Sequence, residues 1–134
     1  MTLRQTLDVY GLLDSAEVTG EDVAAFLRDR GAGDDEMVTS TVRGAKGSTD
    51  FVRVVIPGWQ GRLAGGSAPT LGVIGRLGGI GARPEVTGMV SDADGAVAAL
   101  TVACKLLTMR RAGDRLAGDV IVATHICPHA PTQP

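Results

Sequence analysis

Residues 94–111 leave little choice of surroundings. Val97, Leu100, Ala103, Cys104 and Leu107 recur at helical spacing, and Ala98, Ala99, Val102 and Leu106 fill the gaps between them. The helix they form is apolar nearly all round, so it must be buried, most simply against a sheet. Lys105, Arg110 and Arg111 suit the negative end of its dipole, and Gly113 stops it. Val120–Ile126 follows as a continuous apolar run of the kind buried on both faces of a sheet. Strand, helix and strand in that order imply a right-handed parallel crossover. The expected fold is α/β: a mixed sheet with helices packed on it, in a single domain over residues 1–134.

The first half adds the remaining pieces. Leu3, Leu7, Tyr10 and Leu13 stand at helical spacing, and Asp14-Ser15 ends the run. Thr19 reads as an N-cap with Asp22 in a capping-box position, and Gly31 as the stop of a second helix. Met37–Arg43 and Asp50–Ile56 are strand-like runs joined by a hairpin-like link, Gly44 to Ser48. Thr70–Gly75 is a third strand and Glu85–Val90 a fourth. Between residues 58 and 95 glycine is dense, which calls for unusual backbone angles or close backbone approach.

Composition narrows the functional classes. A net charge of −2 without a dominant basic patch argues against nucleic acid as a partner. No apolar run approaches the roughly 18 residues that a membrane span needs, and Met1 to Gln5 lacks a signal-peptide pattern. A soluble, cytoplasmic protein is expected. With aromatics at only 3%, the core must be built from Val, Leu, Ile and Ala. Cys104 and Cys127 are too few for a disulfide framework and read as free thiols.

Two places invite chemistry. Ser91-Asp92-Ala93-Asp94-Gly95 joins an expected strand to the buried helix, and two carboxylates there are costly unless a metal, a cation or water satisfies them. Asp92 is the candidate metal ligand and Asp94 a candidate catalytic carboxylate; the alternative is that one caps the helix and the other is solvated. His125, Cys127 and His129 cluster at the end of the last strand. His125 and Cys127 are two apart and share a side in extended backbone. Imidazole and thiolate suit zinc, which makes both candidate metal ligands; Cys127 could instead be a nucleophile. If strands 85–90 and 120–126 lie parallel in one sheet, both motifs open on the same edge, where α/β sheets gather ligands. Arg76 could hold a substrate carboxylate in a bidentate pair, or simply be a surface arginine. The glycines at 75, 78, 79 and 81 do not form a Gly-x-Gly-x-x-Gly that opens a helix, which disfavours a dinucleotide site. Ser48 has no identifiable base. Trp59 could cover an apolar edge or touch a ligand.

The runs Gly72 to Pro84, Ser91 to Leu100 and Gly118 to Pro128, with the opening Met1 to Tyr10, resemble a family of bacterial proteins, domain of unknown function 1177. Members of that family are longer, and the chain resembles their N-terminal half. More distantly, Gly88 to Leu100 is similar to the zinc-dependent aminoacylase and carboxypeptidase superfamily, in which an Asp-x-Lys-Gly run opens a helix and the Asp bridges two zinc ions. Asp92 falls on the bridging aspartate, Asp94 on the lysine and Gly95 on the glycine. The departures matter. Gly75-Arg76-Leu77-Gly78 stands where the superfamily has Gly-His-x-Asp, and His125-Ile126-Cys127-Pro128 stands where it has a Glu-Glu pair.

The resemblance implies a metallopeptidase-like (hydrolase-like) fold, incomplete at its C-terminus, with an altered metal site. The expected activity is hydrolysis of an amide bond in a small amino-acid-like substrate. Zinc or another divalent metal would sit on Asp92, His125 and Cys127, and Arg76 would hold the substrate. Two alternatives stand beside it: an inactive pseudo-hydrolase that serves as a binding module or subunit, and a cysteine hydrolase using Cys127. An uncovered apolar edge or face is expected too, with either homo-oligomerisation or a C-terminal partner segment to cover it.

Overall fold

The computed structural model describes residues 2–45, 47–76 and 93–127. The elements are α1 (Thr2–Leu13), α2 (Gly20–Asp29), β1 (Met37–Gly44), β2 (Gly47–Ile56), β3 (Leu71–Gly75), α3 (Asp94–Arg111) and β4 (Val120–Ile126), with short 3-10 turns at Asp34–Glu36 and Arg62–Ala64. The class is mixed α/β, as expected. The expected strand at residues 85–90 lies outside the described residues.

Among the described residues four strands form one sheet in the order β1-β2-β4-β3. The β1–β2 hairpin is antiparallel, with Gly44 opposite Gly47, so pairing reaches three residues further back than Asp50. β2 continues antiparallel onto β4, with Val54 opposite Val122. β3 and β4 are parallel, with Val73 opposite Val122. The crossover through α3 therefore joins β3 to β4.

Local chemistry accounts for the helix ends. The Thr19 hydroxyl accepts the Asp22 N–H, and the Asp22 carboxylate accepts the Thr19 N–H at 2.8 Å, closing the capping box. The Thr19 hydroxyl also donates to that carboxylate at 2.7 Å, and this bond first, then the Thr19 N–H, holds the Asp22 carboxyl below its usual value. Gly31 takes a φ of 104°, a conformation that L side chains rarely adopt.

One core holds the two layers together. Val52, Val54, Val120, Val122 and Ile126 on the sheet meet Ala96, Ala99, Leu100, Ala103 and Leu107 of α3 and Val23 and Leu27 of α2, with Val9 and Leu13 of α1 in the same cluster. Each fully buried leucine or valine contributes about 1.5–3 kcal/mol. The three helices among the described residues lie on this one side, and that corrects two expectations. β4 is not buried on both faces: Val120, Val122, Thr124 and Ile126 are buried, while Ile121, Ala123 and His125 are half-buried. In α1 the buried residues are Gln5, Val9 and Leu13; Leu3, Leu7 and Tyr10 are exposed, because α3 meets the other flank of that helix. The other sheet face, uncovered by any helix among the described residues, carries Val38, Val42, Phe51 and Ile74, the last 85% exposed. No helix among the described residues is long and apolar enough to cross a membrane.

A carboxylate organises the loop after β2. Asp119 is buried and accepts the N–H groups of Gly58 at 2.9 Å and Leu63 at 3.1 Å. Those bonds hold its carboxyl below the ordinary range. A Cβ on Gly61 would stand 2.0 Å from Asp119 Oδ1, so only glycine lets the loop close this tightly around the carboxylate.

Candidate functional site

Parallel strands β3 and β4 end side by side, with Gly75 opposite Thr124. The Thr124 hydroxyl is buried and donates to the Gly75 carbonyl at 2.9 Å, tying the two ends together. The N-terminus of α3 rests on the same spot. A Cβ on Gly75 would stand 2.2 Å from the Gly95 carbonyl oxygen, and one on Gly95 would stand 2.2 Å from the Arg76 carbonyl oxygen. Two glycines are needed for backbone to meet backbone so closely. This is the carboxyl end of the parallel pair, where open α/β sheets gather ligands.

Arg76, Asp94, His125 and Cys127 all belong to this end. Arg76 and Asp94 are exposed, whereas His125 and Cys127 are half-buried. They do not share one face. Asp94 opens α3 and so belongs to the helical layer. His125 alternates with the buried Thr124 and Ile126, which puts it on the uncovered face. Its ring stacks on Phe51 with centroids 5.8 Å apart, and its Nδ1 lies 3.3 Å from the Thr49 hydroxyl. That hydroxyl also donates to the Ile126 carbonyl at 3.1 Å, which anchors the tip of β4 to β2. Cys127 Sγ donates to the Ser48 carbonyl at 3.5 Å. Cys104, by contrast, lies in the core, where burial pushes its thiol up to about 11, out of reach of nucleophilic use.

Asp92 and His129 lie outside the described residues, as do Gly78, Gly79 and Gly81. Among the described residues, no group of three or more His, Cys, Asp or Glu side chains could hold a metal ion. Among the described residues His125 and Cys127 are two donors, short of the four ligands of a zinc site.

Thr49 and Phe51 shape this end without having stood out in the sequence, and Thr124 does so from within the stretch that carries His125 and Cys127. Their signal is the register of β2 and β3 against β4, which no local motif encodes. A surface groove lined by Asp35, Val55, Leu63 and Arg115 lies at the opposite end of the sheet, beside the end of β2. Trp59 is exposed in the loop that follows, held there by its N–H on the Leu116 carbonyl.

No curated protein matches the chain. One solved structure similar to it is the bottromycin maturation enzyme BotP, at 17% identity and a TM-score of 0.46 over 92% of this chain. The chain spans only 30% of that enzyme's length. Residues 40–134 match a family described as protein of unknown function (DUF1177), a narrower span than the resemblance of residues 1–10 had implied. The match covers most of the sequence, and the chain belongs to that family.

Proposed function

We propose that the carboxyl end of β3 and β4 is a small-molecule site of hydrolase type, acting on an amide bond of an amino-acid-like substrate. The observation that carries this reading is the convergence of two parallel strand ends and the start of α3 on a glycine-to-glycine contact. Arg76, exposed at the end of β3, suits a substrate carboxylate, which an arginine can grip through two hydrogen bonds. His125 comes already oriented by Thr49 and Phe51, as a ligand or proton carrier requires. Asp92, His125 and Cys127 are the residues proposed to hold zinc or another divalent ion, and Asp94, at the start of α3, is the candidate catalytic carboxylate. Such an ion would supply the Lewis acid.

A second reading is a binding module without turnover. It is favoured by the presence of Arg76 where the distantly similar superfamily has a histidine ligand. A third makes Cys127 the nucleophile. Metal content separates them. The purified chain is loaded with zinc, dialysed and assayed for metal, and then tested on a panel of N-acyl amino acids and dipeptides. The proposal expects stoichiometric zinc that is lost in Asp92→Asn and in His125→Ala, with turnover lost in parallel. Metal-free protein that binds panel members through Arg76 without turnover would establish the module. Turnover without metal that alkylation of Cys127 abolishes would establish the cysteine enzyme.

A further inference from the structure

Among the described residues β1 is an outer strand of the sheet, and Arg43 is the one charged side chain that protects its edge. The strand has eight residues, Met37–Gly44, with no proline and no lysine, and every residue after Met37 is exposed. Its centre reads Val38-Thr39-Ser40-Thr41-Val42, which is the same in both directions. We infer that the chain pairs with a second copy of itself, edge to edge and antiparallel through β1, about a two-fold axis at Ser40.

The backbone register agrees with that axis. A two-residue hairpin is closed by a hydrogen-bonded pair, here Gly44 and Gly47. Bonded and non-bonded pairs then alternate, so Val38, Ser40 and Val42 turn their backbone groups toward β2. Thr39, Thr41 and Arg43 turn theirs outward; the Met37 N–H is already taken by the Asp34 carbonyl, which leaves its C=O. With Ser40 on the axis, Thr39 of one copy lies opposite Thr41 of the other, and Met37 opposite Arg43. The outward groups thus meet outward groups, giving about six interchain bonds. A shift by one residue would break the match.

The side chains agree as well. Val38 faces Val42 of the second copy, which pairs two residues that are 46% and 56% exposed in the single chain. Thr39 faces Thr41, a favourable cross-strand pair. Arg43 comes beside the start of the other β1, which three acids precede. Asp34 is bonded to Arg28 and Glu36 to Arg110, whereas Asp35 and Arg43 make no ion pair among the described residues. A second copy therefore supplies both edge complementarity and charge complementarity, in a closed isologous contact. The two four-stranded sheets become one of eight strands.

Sedimentation velocity over a range of concentrations tests the association, and cross-linking tests the register. Thr39→Pro removes an outward N–H and leaves the bonds to β2 intact, so it should abolish the dimer. Ser40→Cys puts two thiols across the axis at a non-hydrogen-bonded pair, with Cα atoms about 4.5 Å apart, within disulfide range. Mild oxidation should convert this variant to a covalent dimer while the unaltered chain stays uncross-linked. Arg43→Asp and Asp35→Arg should each weaken the dimer several-fold, and together restore it. A chain that stays monomeric, with Ser40→Cys uncross-linked, would overturn the inference; another segment or a foreign strand would then own this edge. A dimer indifferent to Thr39→Pro would overturn it too.

Discussion

Gly95→Ala sets two physical effects against each other, and the structure decides between them. Gly95 is the second residue of α3. Helix propensity alone predicts that alanine stabilises there, by at most about 1 kcal/mol. The new methyl would, however, stand 2.2 Å from the carbonyl oxygen and 2.8 Å from the nitrogen of Arg76. An ordinary contact is about 3.5 Å, so α3 or the end of β3 must retreat by roughly 1 Å. The obstacle is backbone, and no rotamer change relieves it. A clash this deep against backbone falls in the upper part of the range for overpacking, about 2–3 kcal/mol, leaving a net loss of about 1–2 kcal/mol. For a chain of this size that lowers Tm by about 4–8 °C. Gly11 is the control. It also lies within a helix, but nothing comes within 4 Å of a Cβ placed there, so Gly11→Ala should raise Tm by a few degrees. Thermal unfolding followed by circular dichroism at one pH reads both. A Tm that rises in Gly95→Ala, or moves with the same sign in both variants, would refute the claim that α3 starts in direct contact with β3.

Two further substitutions test the electrostatic ties. Burial alone would raise the Glu36 carboxyl, but Arg110, at 2.6 Å, and the Gly33 N–H outweigh burial and hold it below the ordinary value of 4.5. A carboxyl depressed on folding stabilises the protein above its unfolded pKa, and that share is lost as pH falls through the folded value. Glu36→Gln should therefore cost about 1–3 kcal/mol near neutrality and flatten the acid side of the stability profile below about pH 4.5; an acid limb as steep as in the parent chain would contradict this. Asp119→Asn puts an amide N–H in competition with the Gly58 and Leu63 donors. Limited proteolysis should then cut within residues 58–66 much faster than in the parent, and an unchanged cleavage pattern would show that the loop holds without the carboxylate.

The helices were legible where the signals are local. Thr19 and Asp22 close a box within four residues, and the bounds of α3 follow from its unbroken apolar run and Gly113. The side of α1 that packs was not legible, because Leu3, Leu7 and Tyr10 offer as good a stripe as Val9 and Leu13. Which flank is buried depends on where α3 comes to lie, and α3 is about ninety residues away in sequence. The same holds for β4, whose apolar run reads alike whether one face of the sheet is covered or both. Of the candidate site, the sequence placed Arg76 and His125 at strand ends, and the structure has them at the ends of β3 and β4. The sequence did not show that Asp94 and His125 belong to different faces, nor that Thr49 and Phe51 hold the imidazole.

Periodicity, caps and glycine stops decided by themselves that this chain builds an α/β layer around a buried helix, because those signals act within one turn or one strand. Tertiary structure alone decided which apolar face is used, which strand stands at the edge, and that Gly75 and Gly95 touch. These depend on contacts between residues far apart in sequence. Each such contact forms only when the surface gained by packing exceeds the chain entropy lost in bringing its partners together.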